Sequence, residues 1–586
     1  MAGDPSPASP SFQNELESLV FSGAYEQVIR LTAGGYSDAD APLLIGALAL
    51  GGRLEEAESV FDARFRQEGA SPAPASARFF LAAGWCHAGN SERAMRHVRE
   101  NVLRHPSALD RYWAYQGLAL VRHFEGRLSR ARRAARRALS TAVFAGFSYG
   151  HFLSLDLMAH VAVHSGEIHA GMRLLAQASD LAESLGYAAN ASTERAAQLL
   201  FQLRFSLGLG SAALIAVKEL VNASGVSYFT RRNGLLELAS AHALRGEATP
   251  AAQALEESRR IALPGSDRRA RVRWLIGHAF CQALSAGPRA AAASLAEAHK
   301  EARSELTLRA ELGFVEAIFG GPLSAERCAD LAELAALTGA ERARVAALVA
   351  SGSASSCAPR IEDGLCRLLL ECANASPVER LRRVTEVHFL GLVPWALGVA
   401  PGRRIILLGT TLISENHGNV SLAELKNRPT LKLLAELRRG YRSRAELLRD
   451  VWSIGLFVPA RHTATLHTAI SRLRFALGSV EWIITHDDGY SLAPGVEGLA
   501  FGEAEGIEGP ALPTLAPSLP PPDDRERVLE HISKAGPLSS VEVAKSLRLS
   551  NSTALRSLRE LCARGLIEKQ GGGRSTRYRR KLESDR

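Results

Sequence analysis

Cysteines and aromatic residues are scarce in this 586-residue chain. No two of the 7 cysteines form a C-x-x-C pair, so the usual half-site of a structural zinc ion is missing. Scattered single thiols are typical of a reducing compartment, where they act as small buried apolar residues. Aromatic residues make up only 6% of the chain, whereas Ala and Leu dominate. That composition favours helices packed through small side chains over a large β-sandwich.

Long apolar runs and a secretion signal are also missing. No stretch reaches about 18 uninterrupted apolar residues, the length that a helix needs to cross a membrane. The first residues, MAGDPSPASPSFQNELESL, lack the basic segment and apolar core of a signal peptide. Residues 1–11 are rich in Pro and Ser, which predicts disorder. We therefore expect a cytoplasmic protein that has no membrane partner, no metal and no cofactor.

Motifs of common catalytic sites are absent or out of context. No G-x-x-x-x-G-K-[ST] motif occurs, which excludes the usual P-loop nucleotide site. Residues 146–150 match G-x-S-x-G, but the surrounding sequence is helical, whereas a nucleophile elbow follows a strand. His160 and His164 have the spacing of one helix face but lack the H-E-x-x-H pattern, so we interpret them as a surface or core pair. The sequence predicts that this protein is not an enzyme.

Positive charge is concentrated in the C-terminal third. The formal net charge of the whole chain is +9. Residues 525–586 contain 15 Lys and Arg against 7 Asp and Glu, and residues 403–494 contain 13 against 8. Those segments carry net charges of +8 and +5, which leaves −4 for the other residues. Basic segments attract nucleic acid where they also have a DNA-binding architecture.

Residues 12–350 consist almost entirely of helix-forming sequence with a recurring pattern. An apolar helix ends at a turn with glycine, and a second helix rich in small residues follows, as in CHAGNSERAMRHV (residues 86–98). Successive turn glycines recur with a period of roughly 40 residues, which is typical of stacked helical hairpins. The predicted turn glycines are Gly23, Gly52, Gly89, Gly126, Gly166, Gly208, Gly246, Gly287 and Gly320.

This repetitive segment resembles tetratricopeptide-type (TPR-like) repeats. The resemblance implies about nine hairpins stacked into an α-solenoid. It also implies a groove that binds a protein partner or a signal ligand. An irregular all-helical domain is the alternative interpretation. Residues 351–402 break the pattern and are predicted to form connecting helices.

Residues 403–494 have the element order of a winged helix. An apolar strand-like run opens the segment, and Pro429 begins a first helix. Ser443 and Glu446 have the spacing of a capping box before a second helix. The third helix places Leu466, Ile470, Leu473 and Leu477 on one face, and a hairpin around Asp487-Asp488-Gly489 forms the wing.

This module resembles the C-terminal DNA-binding domain of OmpR/PhoB-type bacterial response regulators. The residues that carry the resemblance are RAELLRDVW, ISRLR and the closing IIT…GYSL, over about 90 residues. In that family the third helix enters the major groove. The resemblance and the exposed helix face together assign DNA contacts to Arg461, His462, Thr465, Thr468, Ser471, Arg472 and Arg474.

Two features depart from that family. The wing carries Asp487 and Asp488, and carboxylates repel phosphates. His467 replaces an acidic residue of the third helix. A winged helix that serves only protein contacts is therefore the alternative interpretation. No receiver domain precedes the module, so phosphorylation of an aspartate is not predicted.

Residues 524–582 form a second candidate after a Pro- and Gly-rich segment, 495–523, that we interpret as a linker. Three helices, the second capped by Ser539 or Ser540, precede two strand-like runs around a glycine-rich tip. The third helix has Leu555, Leu558 and Leu561 on its apolar face. The segment resembles MarR/IclR-like winged helix-turn-helix domains. Its predicted DNA-contacting residues are Ser552, Thr553, Arg556, Ser557, Arg574, Arg577 and Arg579, with Arg580 as an additional wing charge.

Taken together, the sequence predicts a mainly α protein: a TPR-like α-solenoid followed by two small α+β winged-helix domains. We expect a transcription regulator that binds double-stranded DNA, with the helical repeats as a sensor or protein-interaction platform. A repeat scaffold whose winged helices bind proteins is the alternative function.

Overall fold

A computed structural model describes residues 15–67, 72–102, 107–223, 228–261, 268–302, 305–319, 323–351, 360–501, 524–547, 549, 551–571 and 576–580. The chain divides into two compact units. Residues 1–402 with 417–419 form the helical unit, and residues 403–416 with 420–586 form the C-terminal unit. The architecture agrees with the predicted mainly α class, since helices dominate and the strands lie in three small sheets.

The helical unit contains 22 α-helices among the described residues. None of them combines the length and apolar composition that crossing a membrane requires. Their bounds are α1 Glu15–Phe21, α2 Tyr25–Thr32, α3 Ala41–Leu50, α4 Leu54–Phe65, α5 Ala75–His87, α6 Ser91–Val102, α7 Ala108–Phe124, α8 Leu128–Phe144, α9 Ser148–His164, α10 Ile168–Ser184, α11 Ala188–Arg204, α12 Ser211–Asn222, α13 Tyr228–Leu244, α14 Ala248–Arg260, α15 Arg268–Ala286, α16 Pro288–Ala302, α17 Leu306–Phe319, α18 Ala325–Thr338, α19 Glu341–Ala350, α20 Gly364–Cys372, α21 Pro377–Glu386 and α22 Val393–Leu397.

Helices α7 to α11 repeat one local geometry. Each has 17 residues, and three residues separate each helix from the next. After α7 the chain turns at Gly126, whose φ of 78° is accessible at little cost only to glycine. The N–H of Arg127 then donates to the carbonyl of Arg122 over 2.8 Å, which closes the helix end as a Schellman motif. One helix pair with its two turns therefore runs from Ala108 to Phe147, and the next pair begins at Ser148.

Most of the predicted turn glycines have left-handed backbone geometry. Seven of the nine have φ between 76° and 93°. The prediction at Gly208 is wrong, because α11 ends earlier and Ser206 has the positive φ, 52°. Gly320 lies outside the described residues. Ser148, the serine of the G-x-S-x-G match, begins helix α9, as the helical sequence around it predicts.

Small residues allow the helices of a pair to approach closely. Helix α8 buries Ala131, Ala135, Ala138 and Ala142 completely. In α10, a Cβ added at Gly171 would lie 2.5 Å from Cγ1 of Val163, a distance that real Cβ atoms essentially never show. Close packing in this unit therefore depends on the Ala-rich composition that the sequence shows.

The C-terminal unit contains six α-helices and nine strands among its described residues. Its elements are β1 Arg403–Leu408, β2 Thr411–Asn416, β3 Asn419–Glu424, α23 Arg428–Arg438, β4 Arg442–Ser443, α24 Arg444–Trp452, α25 Pro459–Ala476, β5 Ile483–Thr485, β6 Gly489–Leu492, β7 Glu497–Phe501, α26 Asp524–Ala535, α27 Ser540–Leu547, α28 Asn551–Ala563, β8 Ile567–Gln570 and β9 Arg577–Arg580.

Residues 403–501 form the first module, which has two sheets. One sheet has the strand order β3-β2-β1-β7, and the other has the order β4-β6-β5. Strand β7 corrects the predicted linker boundary, since residues 497–501 pair in parallel with β1 instead of beginning the linker. Arg404 supports this pairing, because its Nε lies 2.6 Å from the carboxylate of Glu497.

Residues 524–580 form the second module. Helices α26, α27 and α28 pack around Val528, Ile532, Leu558 and Leu561. Strands β8 and β9 are antiparallel. Leu538 adds a short third strand segment, because its N–H and carbonyl both bond to Tyr578. Three helices and a small sheet are the elements of a winged helix.

Candidate nucleic-acid interface

Helix α24 begins at the predicted capping box. The hydroxyl of Ser443 accepts a hydrogen bond from the N–H of Glu446, and the Glu446 carboxylate accepts from the N–H of Ser443 at 2.8 Å. Both contacts satisfy donors that a helix start leaves without partners. At the other end, Ser453 adopts φ 59° and stops the helix before the turn to α25. The helix-turn-helix is thus set by local residues at both ends of α24.

Helix α25 has one buried face and one open face. Leu466, Ile470, Leu473 and Leu477 are at most 2% exposed and pack into the core of the module. The open face carries four of the predicted DNA contacts: Thr465, Thr468, Ser471 and Arg472. Hydroxyls and a guanidinium on an accessible helix face can bind base edges and phosphates.

Three predicted contacts on this helix differ in whether their side chains already have a partner. Arg461 and Arg472 are exposed, and within the described residues neither makes an ion pair. His462 is half-buried, and its Nδ1 accepts a hydrogen bond from the N–H of Val458 at 3.0 Å. His462 therefore helps to cap the start of α25, and Arg461 and Arg472 supply the available charge.

Arg474, the last predicted contact on α25, is turned toward the wing. Its Nη2 donates to the carbonyl of Ile483 at 2.5 Å and to the hydroxyl of Thr485 at 2.8 Å. Burial lowers the pKa of its guanidinium. The side chain thus joins α25 to β5.

The wing of the first module is a short hairpin with an acidic tip. Strands β5 and β6 pair from Ile483 with Leu492 to Thr485 with Tyr490. Asp487 and Asp488 are exposed. The hydroxyl of Tyr441 donates to the carboxylate of Asp488. This bond fixes one of the two carboxylates, which the sequence alone does not indicate.

His467 lies on the accessible side of α25, close to the buried ring of Tyr490. Partial burial, together with the positive charge of Arg444, lowers the pKa of this imidazole. His467 is therefore neutral at pH 7, so it offers a hydrogen bond without adding charge to the helix face.

The second module has its own capped helix-turn-helix. Of the two predicted caps, Ser539 forms the box: its N–H donates to Glu542 at 2.7 Å, and the N–H of Glu542 donates to its hydroxyl. The third helix, α28, exposes Arg556 and leaves Thr553 half-buried. The side chain of Ser552 lies outside the described residues.

Two predictions on α28 are wrong. Ser557 is only 4% exposed, so it belongs to the core and not to the open face. Leu555 is half-buried, and Ala554 takes the core position instead, in line with Leu558 and Leu561. The buried face of α28 thus keeps Leu558 and Leu561 as predicted, but Ala554 and Ser557 complete it in place of Leu555.

In the second wing, the described arginines contact residues of their own module. Arg577 is exposed, with Nη2 3.6 Å from Glu542 and Nη1 donating to the carbonyl of Pro537. Arg579 pairs with Glu568 across the hairpin, and Arg580 contacts the Ser533 hydroxyl. Arg574 lies outside the described residues. The strands of this wing are therefore basic, and the side chains of Arg577, Arg579 and Arg580 all contact residues of the same module.

One comparison with known proteins bears on this unit. Residues 525–568 match the family described as winged helix-turn-helix DNA-binding. No curated protein matches the chain. The match covers α26 except its first residue, α27, α28 and the first part of β8, so the second module is similar to winged helix-turn-helix DNA-binding domains. A domain of this kind suggests a DNA-binding regulator.

Proposed function

We propose that this protein is a bacterial, cytoplasmic transcription regulator in which both winged-helix modules bind double-stranded DNA. The observation that carries the proposal is that each module places a third helix with an open polar face on a capped helix-turn-helix. For the second module, the family match supports DNA binding directly. For the first module, the support comes from α25 and from the resemblance to OmpR/PhoB-type domains.

The two modules have different roles in this proposal. The first reads bases through Thr465, Thr468, Ser471 and Arg472, because this face can enter the major groove. The second, similar to MarR/IclR-like domains, adds phosphate contacts through Arg556 and its wing. A Pro-rich segment connects the modules in sequence, so binding of one raises the effective concentration of the other near DNA.

The helical unit acts as the sensor. Its stacked pairs of helices are TPR-like, and arrays of this kind present an extended inner surface to ligands. A protein partner or a small-molecule signal bound there changes the DNA affinity of the C-terminal unit.

The test is the salt dependence of DNA binding by the full chain. DNA fragments are selected by the protein from a random pool, and the affinity for the best fragment is measured by fluorescence anisotropy at several salt concentrations.

The variants test individual phosphate contacts. Each lost contact makes the negative slope of log K against log salt less steep by about 0.9. We expect Arg461→Ala, which removes a proposed phosphate contact, to make it less steep by about 0.9. Arg195→Ala is the control, because this exposed arginine pairs with Glu183 in the helical unit. No selection of DNA at low salt would contradict the proposal.

A TPR-like scaffold whose winged helices bind proteins is the second candidate. It is favoured by exposed apolar side chains on the first module, namely Leu456, Phe475 and Val480, of which Phe475 is 90% exposed. A pull-down from nuclease-treated lysate separates the candidates. Partners that survive DNA removal and are lost with Phe475→Ser favour the scaffold.

A further inference from the structure

A cavity of about 80 Å³, partly open to solvent, lies in the helical unit. Its walls include residues from α11, α13, α15, α17 and α19, which are the alternate helices of the array. Roughly 10–15 Å³ of such space suffices for one water. The cavity therefore has room for several waters or for one small molecule of a few heavy atoms.

Three guanidiniums and two carboxylates line this cavity. The guanidiniums belong to Arg204, Arg273 and Arg342, and the carboxylates to Glu237 and Glu311. Three arginines carry about fifteen N–H donors. Within the described residues, each of the three donates to a carboxylate, and two of them also donate to an amide or backbone oxygen.

The existing contacts of these arginines hold them in place. Arg204 donates to Glu311, and Arg342 donates to Asp363 over 2.8 Å. Arg273 reaches Asn233 at 3.0 Å and Glu237 at only 3.4 Å. Burial, followed by the positive charge of Arg204, lowers the pKa of Arg273. The contact of Arg273 with its carboxylate is thus long, and a negative charge in the cavity would stabilise this guanidinium.

Ser206 supplies an independent observation at the same wall. It is only 7% exposed, and its hydroxyl has no hydrogen-bond partner within the described residues. Its φ of 52° is a conformation that other turns of the array give to glycine. A buried hydroxyl without a partner, on a strained backbone, is costly to folding. Such a residue is expected where a ligand completes the hydrogen bond.

We propose that this cavity binds a small oxyanion, a carboxylate or a phosphate, through Arg204, Arg273, Arg342 and the hydroxyl of Ser206. Guanidiniums bind both groups through paired N–H donors. The inference rests on the sensing role proposed for the helical unit, and it names the class of ligand. Arg342 also donates to the backbone carbonyl of Arg204, so an anion here would hold α11 and α19 together.

The experiment measures thermal unfolding of the full chain, without DNA, in acetate, in inorganic phosphate and in the neutral analogue acetamide. We expect acetate or phosphate to raise Tm in a saturable manner at millimolar concentration, and acetamide to leave it unchanged. The anion that gives the larger shift identifies the source. Because no DNA is present, failure here leaves the proposed DNA binding intact.

Two variants separate the site from general effects of salt. Ser206→Gly removes the hydroxyl and the strain, so we expect a higher Tm without ligand and at least tenfold weaker anion binding. Gly277→Leu fills part of the cavity and leaves every charged side chain in the sequence; Gly277→Ala is its control, because a Cβ there meets only Leu236, at 3.6 Å. Equal shifts in all variants, or no shift with either anion, overturn the proposal.

Discussion

The guanidinium of Arg474 donates to the hydroxyl of Thr485 over 2.8 Å and thereby joins the third helix of the first module to its wing. Arg472, two residues earlier on the same helix, is exposed and makes no ion pair within the described residues. Neighbouring arginines of one helix thus have different tasks. One stabilises the module, and the other is available to DNA.

Replacement of these two arginines should give opposite results. Arg474→Ala should lower the free energy of unfolding by about 1–3 kcal/mol, because the hydrogen bonds of a half-buried guanidinium are lost. Arg472→Ala should change it by less than about 0.5 kcal/mol but weaken DNA binding. Chemical unfolding and anisotropy measure the two effects, and each variant is the control for the other. A loss of DNA affinity in Arg474→Ala without loss of stability would contradict this assignment.

The acidic wing tip should oppose DNA binding. If the wing lies close to a phosphate, one carboxylate costs about 1 kcal/mol through water at 4 Å. Asp488→Asn should then raise the affinity a few-fold at low salt, and the gain should shrink as salt increases. Tyr441→Phe is the control, because it removes the hydrogen bond to Asp488 and keeps the charge. An affinity that does not respond to Asp488→Asn would mean that this wing stays away from the DNA.

On helix α28, the exposed arginine should matter to DNA and the buried serine should not. Arg556→Ala should weaken DNA binding and lower the salt slope by about 0.9. Ser557→Ala should leave the affinity unchanged, since this side chain is buried in the module. Anisotropy titrations at three salt concentrations measure both. A specific loss of affinity in folded Ser557→Ala protein would restore the original sequence prediction.

The buried His123 should make the helical unit sensitive to acid. Burial, together with the charge of His164, holds the pKa of His123 well below its ordinary 6.5. The unfolded chain therefore takes up a proton at this residue below pH 6.5, whereas the folded chain does not. Its contribution to stability is constant above pH 6.5 and is lost as the pH falls below it.

His123→Phe should remove that part of the pH dependence. The aromatic replacement suits the site, where the ring of Phe124 lies edge-on at 5.6 Å. Urea unfolding at pH 7.5 and 5.5 should show a smaller loss of stability in the variant than in the parent chain. His169→Gln, at an exposed position, should keep the parental loss. Equal losses in all three proteins would show that His123 is protonated in the folded state.

Local sequence patterns predicted the helix ends well. The box of Ser443 and Glu446 and the turn at Gly126 depend on residues a few positions apart, so their chemistry can be recognised in the sequence. Ser206 shows where this fails. Its turn has the same hydrogen bonds as the glycine turns, with the N–H of Leu207 bonded to the carbonyl of Gln202. A serine in the sequence does not indicate a turn with positive φ, whereas a glycine does.

Contacts between distant segments were not predictable from local patterns. Strand β7 pairs with β1, which lies at the other end of the first module in sequence. Because the pairing partner is distant, no local pattern distinguishes residues 497–501 from the linker that follows. On α28, Ala554 and Leu555 are adjacent, and only packing against the other helices decides which one is buried. Likewise, nothing in the spacing of Arg472 and Arg474 shows which of them meets the wing.

The equal lengths of helices α7 to α11 also determine which deletions or duplications the helical unit can accommodate. Helices α7, α8 and α9 begin at Ala108, Leu128 and Ser148, so each helix with its turn adds the same length of chain. Two such units are needed before the next helix faces the same side of the array. Deletion or duplication of one whole pair, such as residues 108–147, therefore preserves the phase of every later helix, whereas loss of a single helix with its turn exchanges inner and outer faces. Length variants in this region should be viable only in whole pairs.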